Sequence, residues 1–280
     1  MNPFQVAIEN YFQRITDLQE SLFHIDSVLN RDYWRISKLV LDSKTDGKDI
    51  FGLASRLVIS DITGPTDNGW ELNYSTGFKK IVRFETLRTE LDSLISREAG
   101  FMIAQAHEAF ETYLKTQIAS AFYILKIQSK LKEFKDINID TIETCSEFIW
   151  SGKFKKGRNN EILFKSLREI CPFYRDHETH NNLGTNLYDL YYIYAELRHA
   201  VTHSEFIIKN FRFKSLTPSQ QKILLSLKIT DPTDSGYKIV LDKSRGDNVL
   251  KRFSEIAFTI FKGFSVETGE DWKIFKTKMP

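Results

Sequence analysis

Cysteine is almost missing from this chain. Cys145 and Cys171 are the only two in 280 residues, too few for a disulfide framework, so a reducing interior is the simpler compartment. Excess charge of one sign is missing too. The 39 Lys and Arg are matched by 37 Asp and Glu, for a formal net charge of +2. The chain is therefore not a tail-type nucleic-acid binder, and any anion site must come from local clustering. No run of 18 apolar residues occurs, which argues against a membrane-spanning helix. Residues 1–19 carry neither a basic n-region nor a continuous apolar h-region, so no signal peptide is expected. Neither G-x-x-x-x-G-K-[ST] nor G-x-G-x-x-G is present, so nothing supports a nucleotide-driven mechanism and no cofactor is expected. Internal repeats and low-complexity tracts are absent as well. Together these gaps point to a soluble, cytoplasmic globular protein.

Aromatic side chains, by contrast, are abundant. The chain holds 22 Phe, 11 Tyr and 4 Trp and is 41% hydrophobic, enough for a large Phe-rich core. Helical periodicity dominates. Phe4, Ile8, Tyr11, Phe12, Ile15, Leu18, Leu22 and Ile25 recur at spacings of three and four, the mark of one buried helix face. A shorter helix is expected around Tyr33–Leu41, then a turn at 63–69 and an irregular stretch over 65–82. A long helix is expected from Thr86 to about Leu131, with Gly100 bending or splitting it. A second helical group runs from about Ile139 to His203. It includes a piece ended by Pro172, a polar loop from Arg175 to Thr185, and a helix over 186–203. Thr217-Pro218 opens a further helix with Pro at its favoured first position. Residues 236–241 suit a short strand and 248–264 a last amphipathic helix. The fold class is all-α, with at most a short strand pair near the C-terminus. A boundary near residue 85 separates an N-terminal helical extension from the domain at 86–280.

The residues richest in chemistry are Arg198-His199-Ala200-Val201-Thr202-His203, late in the 186–203 helix. At 100° per residue Glu196, His199 and His203 share one face. Arg198 and Thr202 share the neighbouring face, while Leu197 and Val201 point to the core. An Arg can fork two hydrogen bonds onto phosphate oxygens, and a His can exchange a proton near neutral pH. That combination suits catalysis at a phosphodiester. Two metal readings stand beside it. His199 and His203 are spaced i, i+4 with Glu196 as a third donor, and His177-Glu178-Thr179-His180 is a second His/Glu cluster. The protease pattern H-E-x-x-H is absent, and no metal is assigned. Lys153, Lys155, Lys156 and Arg158, with Lys209 and Arg212 near Phe211 and Phe213, offer an RNA-backbone path. Cys145 and Cys171 lack a catalytic setting and read as buried thiols.

The segment Arg198–His203 matches the R-x4-H signature of HEPN-domain proteins, a helical superfamily rich in metal-independent endoribonucleases. The stretch Ala106–Lys115, with its Phe-Glu-x-x-Leu pattern, is similar to the long first helix of many bacterial members. The resemblance covers roughly 86–215 and also 247–264. It implies a HEPN-like helical bundle in which an RNA 2′-hydroxyl attacks the adjacent phosphate, leaving a 2′,3′-cyclic phosphate and a 5′-hydroxyl. It further implies that His203 acts as general base or acid and that Arg198 holds the scissile phosphate. His199 then orients the phosphate or shares proton transfer, with Thr202 and Glu196 in support. The family completes its site across a two-fold axis, so a homodimer with a composite cleft is expected. Many bacterial members are toxins or defence effectors held by an antitoxin or other regulatory protein. The alternative is a non-catalytic helical module that binds RNA, a nucleotide or a protein partner.

Overall fold

A computed structural model of the chain describes residues 2–43, 55–60, 73–80, 83–125, 141–150 and 160–273. Among these the secondary structure is mostly helical. The elements in order are α1 (Gln5–Ser43), β1 (Ser55–Ser60), β2 (Asn73–Lys80), α2 (Phe84–Leu125), α3 (Ile142–Trp150), α4 (Glu161–Ile170) and α5 (Pro172–His177). Then follow α6 (Leu187–His203), β3 (Ile207–Lys209), α7 (Asn210–Ser215), α8 (Pro218–Ser226), β4 (Thr230–Thr233), β5 (Gly236–Ile239) and α9 (Lys243–Thr268). No helix among the described residues is long and apolar enough to cross a membrane.

Contacts divide the chain into two compact units, Met1–Phe23 with Ser96–Pro280, and His24–Ile95. The division does not fall at residue 85: the first 23 residues join the larger unit, and α1 and α2 run through both. In the smaller unit Leu87 and Leu91 are buried against Leu29, Tyr33 and Ile36. Arg88 donates to Asn30 Oδ1 at 2.8 Å. The same unit contains β1 and β2, paired antiparallel with an irregularity between Arg56 and Val58. The irregular stretch expected over 65–82 thus includes a strand at Asn73–Lys80, and the N-terminal extension is not purely helical. The turn at 63–69 lies outside the described residues.

The larger unit buries Phe4, Ile8, Phe110, Phe122, Phe164, Phe253, Phe261 and Phe264 completely, as the aromatic composition requires. Phe4 stacks on Phe264 at 5.3 Å, tying the start of α1 to α9. Three sequence expectations are corrected. Gly100 does not split α2, whose helix is continuous from Phe84 to Leu125. A Cβ at Gly100 would instead lie 2.4 Å from the Phe206 ring, so the glycine serves a close tertiary approach. Pro172 does end α4, but it also stands at the first position of α5, where its missing N–H costs nothing. The polar stretch 175–185 is therefore helical through His177. Finally, the C-terminal part forms three antiparallel strands in the order β3-β5-β4, one more than the expected pair.

Candidate functional site

Helix α6 carries the motif, and its ends are well defined. Asn186 caps the start by accepting the Asp189 N–H at 3.0 Å. Leu187, Leu190, Tyr191, Tyr194, Leu197, Ala200 and Val201 are buried, so one side of the helix is anchored throughout. At the other end Ala200 O accepts the N–H groups of Ser204 at 3.1 Å and Phe206 at 3.0 Å. Glu205 and Phe206 both adopt left-handed backbone, with φ of 51° and 65°. Two such non-glycine residues in succession persist only where surroundings over-determine them. Here the Phe206 ring fills the space left by Gly100 and meets Phe101 edge-on at 5.8 Å. The Phe206 carbonyl also accepts the Ile239 N–H at 2.8 Å.

This anchoring presents the polar residues outward on the last turn and a half. The His199 and His203 rings lie 5.1 Å apart between centroids. His199 is half-buried, and His203 and Thr202 are exposed. Partial burial, the Arg212 guanidinium and the neighbouring His203 and Arg198 hold His199 below the ordinary histidine value, against the pull of Glu196. The shift favours the neutral ring, the form able to accept a proton. Thr202 donates its hydroxyl to the Arg198 carbonyl at 2.8 Å, which commits its proton to the backbone. A helix C-terminus carries partial negative charge, so the backbone offers a phosphate no help here. Any anion must be held by side chains.

The cations are not idle. Arg198 Nη2 donates to Glu108 Oε1 of α2 at 3.1 Å, with side-chain exposures of 36% and 61%. Its Nε is buried without a hydrogen-bond partner among the described residues. Arg212, expected to meet an RNA backbone, instead grips the buried carboxylate of Glu196 at 3.0 and 3.3 Å. Glu196 is thus ion-paired to α7, although its charge still acts on His199. Lys209 ends β3 and is exposed. Lys153, Lys155, Lys156 and Arg158 lie outside the described residues.

Beneath Arg198 the structure assembles a polar group around His107, Glu108 and Glu111, the α2 residues whose sequence positions offer a face toward the motif helix. Helices α2 and α6 run antiparallel, with Gly100 opposite Val201, Glu108 opposite Arg198 and His107 stacked on Tyr191 at 5.1 Å. His107 is 4% exposed, and neither ring nitrogen has a partner among the described residues. Burial, reinforced by Arg198 and opposed by Glu111, pushes its pKa down to about 4. Glu111 accepts from Lys115 at 2.6 Å. Asn160, left-handed at the start of α4, donates to the Tyr191 hydroxyl at 2.6 Å. Burial raises the Glu111 pKa, but the bonds from Lys115 and Asn160 outweigh it and hold the carboxyl below its usual range. The i, i+4 spacing of Glu111 and Lys115 was a readable signal. Nothing in the sequence marks Asn160.

The His177–His180 cluster does not form a metal centre. Glu178 is buried and takes both nitrogens of Arg168 at 2.6 and 2.7 Å. Among the described residues no group of three His, Cys, Asp or Glu is placed to hold a metal ion. Cys145 and Cys171 are buried free thiols whose pKa values burial pushes up to about 12, the reverse of what a nucleophile needs. Comparisons with family models, with characterised proteins and with solved structures return no match.

Proposed function

We propose that the protein is a metal-independent endoribonuclease of the HEPN type, acting as a homodimer. The observation that carries this reading is the pair of outward imidazoles 5.1 Å apart beside Arg198 on the anchored end of α6. In the proposed reaction neutral His199 or its counterpart accepts the 2′-hydroxyl proton as the 2′-oxygen attacks phosphorus. The bond from phosphorus to the 5′-oxygen breaks, and His203 returns a proton to that oxygen. Products are a 2′,3′-cyclic phosphate and a 5′-hydroxyl, so the chemistry is confined to RNA. Arg198 balances the charge that grows on the phosphate oxygens. Its bond to Glu108 is an exposed pair worth about 0–1 kcal/mol, weaker than a forked contact to phosphate. Substrate can therefore displace the carboxylate. One copy supplies one such Arg, and a second copy facing it across a two-fold axis would supply another. A cytoplasmic toxin or defence role, restrained by an antitoxin or other regulatory protein, fits such an enzyme.

A second reading is favoured by a separate observation. Within one chain both Arg198 and Arg212 are already ion-paired, as expected of a helical module that binds RNA, a nucleotide or a protein without cutting. Mixed RNA incubated with the purified protein in chelator separates the two. The ribonuclease reading expects cleavage to cyclic-phosphate ends, lowered about 100-fold or more by Arg198→Ala or His203→Ala. Intact RNA, or cleavage indifferent to both changes, leaves only the binding module.

A further inference from the structure

A second recess lies at the end of α6 away from the motif. Helix α5, the chain from Glu178 to Asn186, the first turn of α6 and the middle of α9 surround a cleft of about 770 Å³, within the roughly 300–1,000 Å³ usual for small-molecule sites. Phe173, Leu183, Leu187 and Phe258 give it an apolar wall, with Lys251 and Lys262 on the α9 side.

The rim is firmly built despite its irregular backbone. Glu178 is locked by Arg168. Asn181 Nδ2 lies 2.9–3.1 Å from the carbonyls of His177, Glu178 and Thr185, while its Oδ1 accepts the Leu183 N–H at 3.0 Å. On the far side a Cβ at Gly263 would come 2.7 Å from Cys171 Sγ. The glycine thus lets α9 approach α5 closely enough to bring Lys262 to Phe173. Rigidly held polar loops of this kind are where binding residues concentrate.

The two ammonium groups of the cleft, Lys251 and Lys262, favour a negative ligand. His177 and His180 each direct Nδ1 at a backbone carbonyl, of Phe173 at 2.8 Å and of Asp176 at 3.2 Å. A carbonyl only accepts, so His177 carries its proton on Nδ1, while His180 Nδ1 also lies 3.2 Å from the Thr179 hydroxyl. The Lys262 ammonium sits 4.1 Å from the Trp272 ring centre and 5.4 Å from that of Phe173. Among the described residues it makes no ion pair. Ring faces attract an ammonium but leave its N–H donors free for an anion. Lys251 has only a 4.0 Å contact with Glu255, which is bound more closely by Arg252 at 2.7 Å. Glu255 also lines the cleft but is held by Arg252 at 2.7 Å, and two ammonium groups beside the imidazoles do not suit a metal cation. A neutral apolar ligand would leave Lys262 undirected.

We propose that this cleft binds a small planar aromatic anion, its ring against Phe258 and Leu183, since Phe173 is already stacked with His177 at 4.1 Å, and its charged group on Lys262. The site is separate from the R-x4-H motif, and its test does not depend on ribonuclease activity. The full chain is titrated calorimetrically with phenyl phosphate, adenosine monophosphate and indole-3-carboxylate, with inorganic phosphate and phenol as controls. At least one aromatic anion should bind with Kd on the order of 0.1 mM, and both controls at least about tenfold more weakly. Preference for adenosine monophosphate would assign a nucleoside phosphate, and preference for indole-3-carboxylate an aromatic acid. Lys262→Gln and Phe258→Ala should each weaken binding at least about fivefold. Lys262 is half-exposed, so if Phe258→Ala does not fold, Lys262→Gln decides alone. Failure of all three anions to outbind the controls, or binding unchanged in Lys262→Gln, overturns the proposal.

Discussion

His107 bears the clearest cost of burial near the motif. Its ring stacks on Tyr191 with both nitrogens unpartnered among the described residues, so the folded protein resists protonating it. Above pH 6.5 both folded and unfolded forms are neutral, and the protein has its full stability. Between 6.5 and the folded-state value of about 4, only the unfolded chain takes up the proton, so stability falls as pH falls. A shift of about 2.5 units corresponds to roughly 3 kcal/mol. Urea unfolding at pH 7 and pH 4 should show His107→Phe losing about 3 kcal/mol less than the parent over that span. Equal losses in both proteins would show that His107 is not the titrating group. Arg198 sits next to this ring and is held differently. Its partner Glu108 is 61% exposed, so the pair restrains the guanidinium without fixing it.

The end of α6 depends on an interlock between two elements. Gly100 in α2 and Phe206 after α6 fit only because one has no side chain where the other has a ring. In an open helix interior Gly→Ala would add about 1 kcal/mol of stability. Here Gly100→Ala should lose about 1–3 kcal/mol from overpacking, and adding Phe206→Leu should recover part of that loss. Equilibrium denaturation of the two single variants and the double variant tests this. A stabilised Gly100→Ala protein would mean the ring moves aside freely. The same contrast explains how much was readable beforehand. The buried stripe of α6 and the Thr217-Pro218 start follow from local rules, and both appear. Gly100 looked like a helix breaker because its reason lies about a hundred residues away in Phe206. The β1–β2 pair and the strands at Ile207–Lys209 and Thr230–Thr233 are not legible in the sequence, because pairing partners supply much of what a short strand lacks in its own residues. In the site, helical spacing placed His199 and His203 together correctly. It could not show that Glu196 would be taken by Arg212, since α7 reaches it only through the turn at 204–206.

Across the molecule, the motif and the aromatic cleft occupy opposite ends of α6, and neither uses the other's residues. The ribonuclease reading also requires a second copy, because one chain offers a single Arg198 beside its two imidazoles. Sedimentation at micromolar concentration should give the mass of two 32.7 kDa chains, and a persistent monomer that cleaves RNA would contradict the composite site. The most direct measurement of the central claim is cleavage of mixed RNA in chelator by the parent, Arg198→Ala and His203→Ala proteins, with product ends identified. The parent should leave 2′,3′-cyclic phosphates, and either variant should be at least about 100-fold less active. Uncut RNA from a folded dimer, or equal cutting by all three proteins, would contradict the claim.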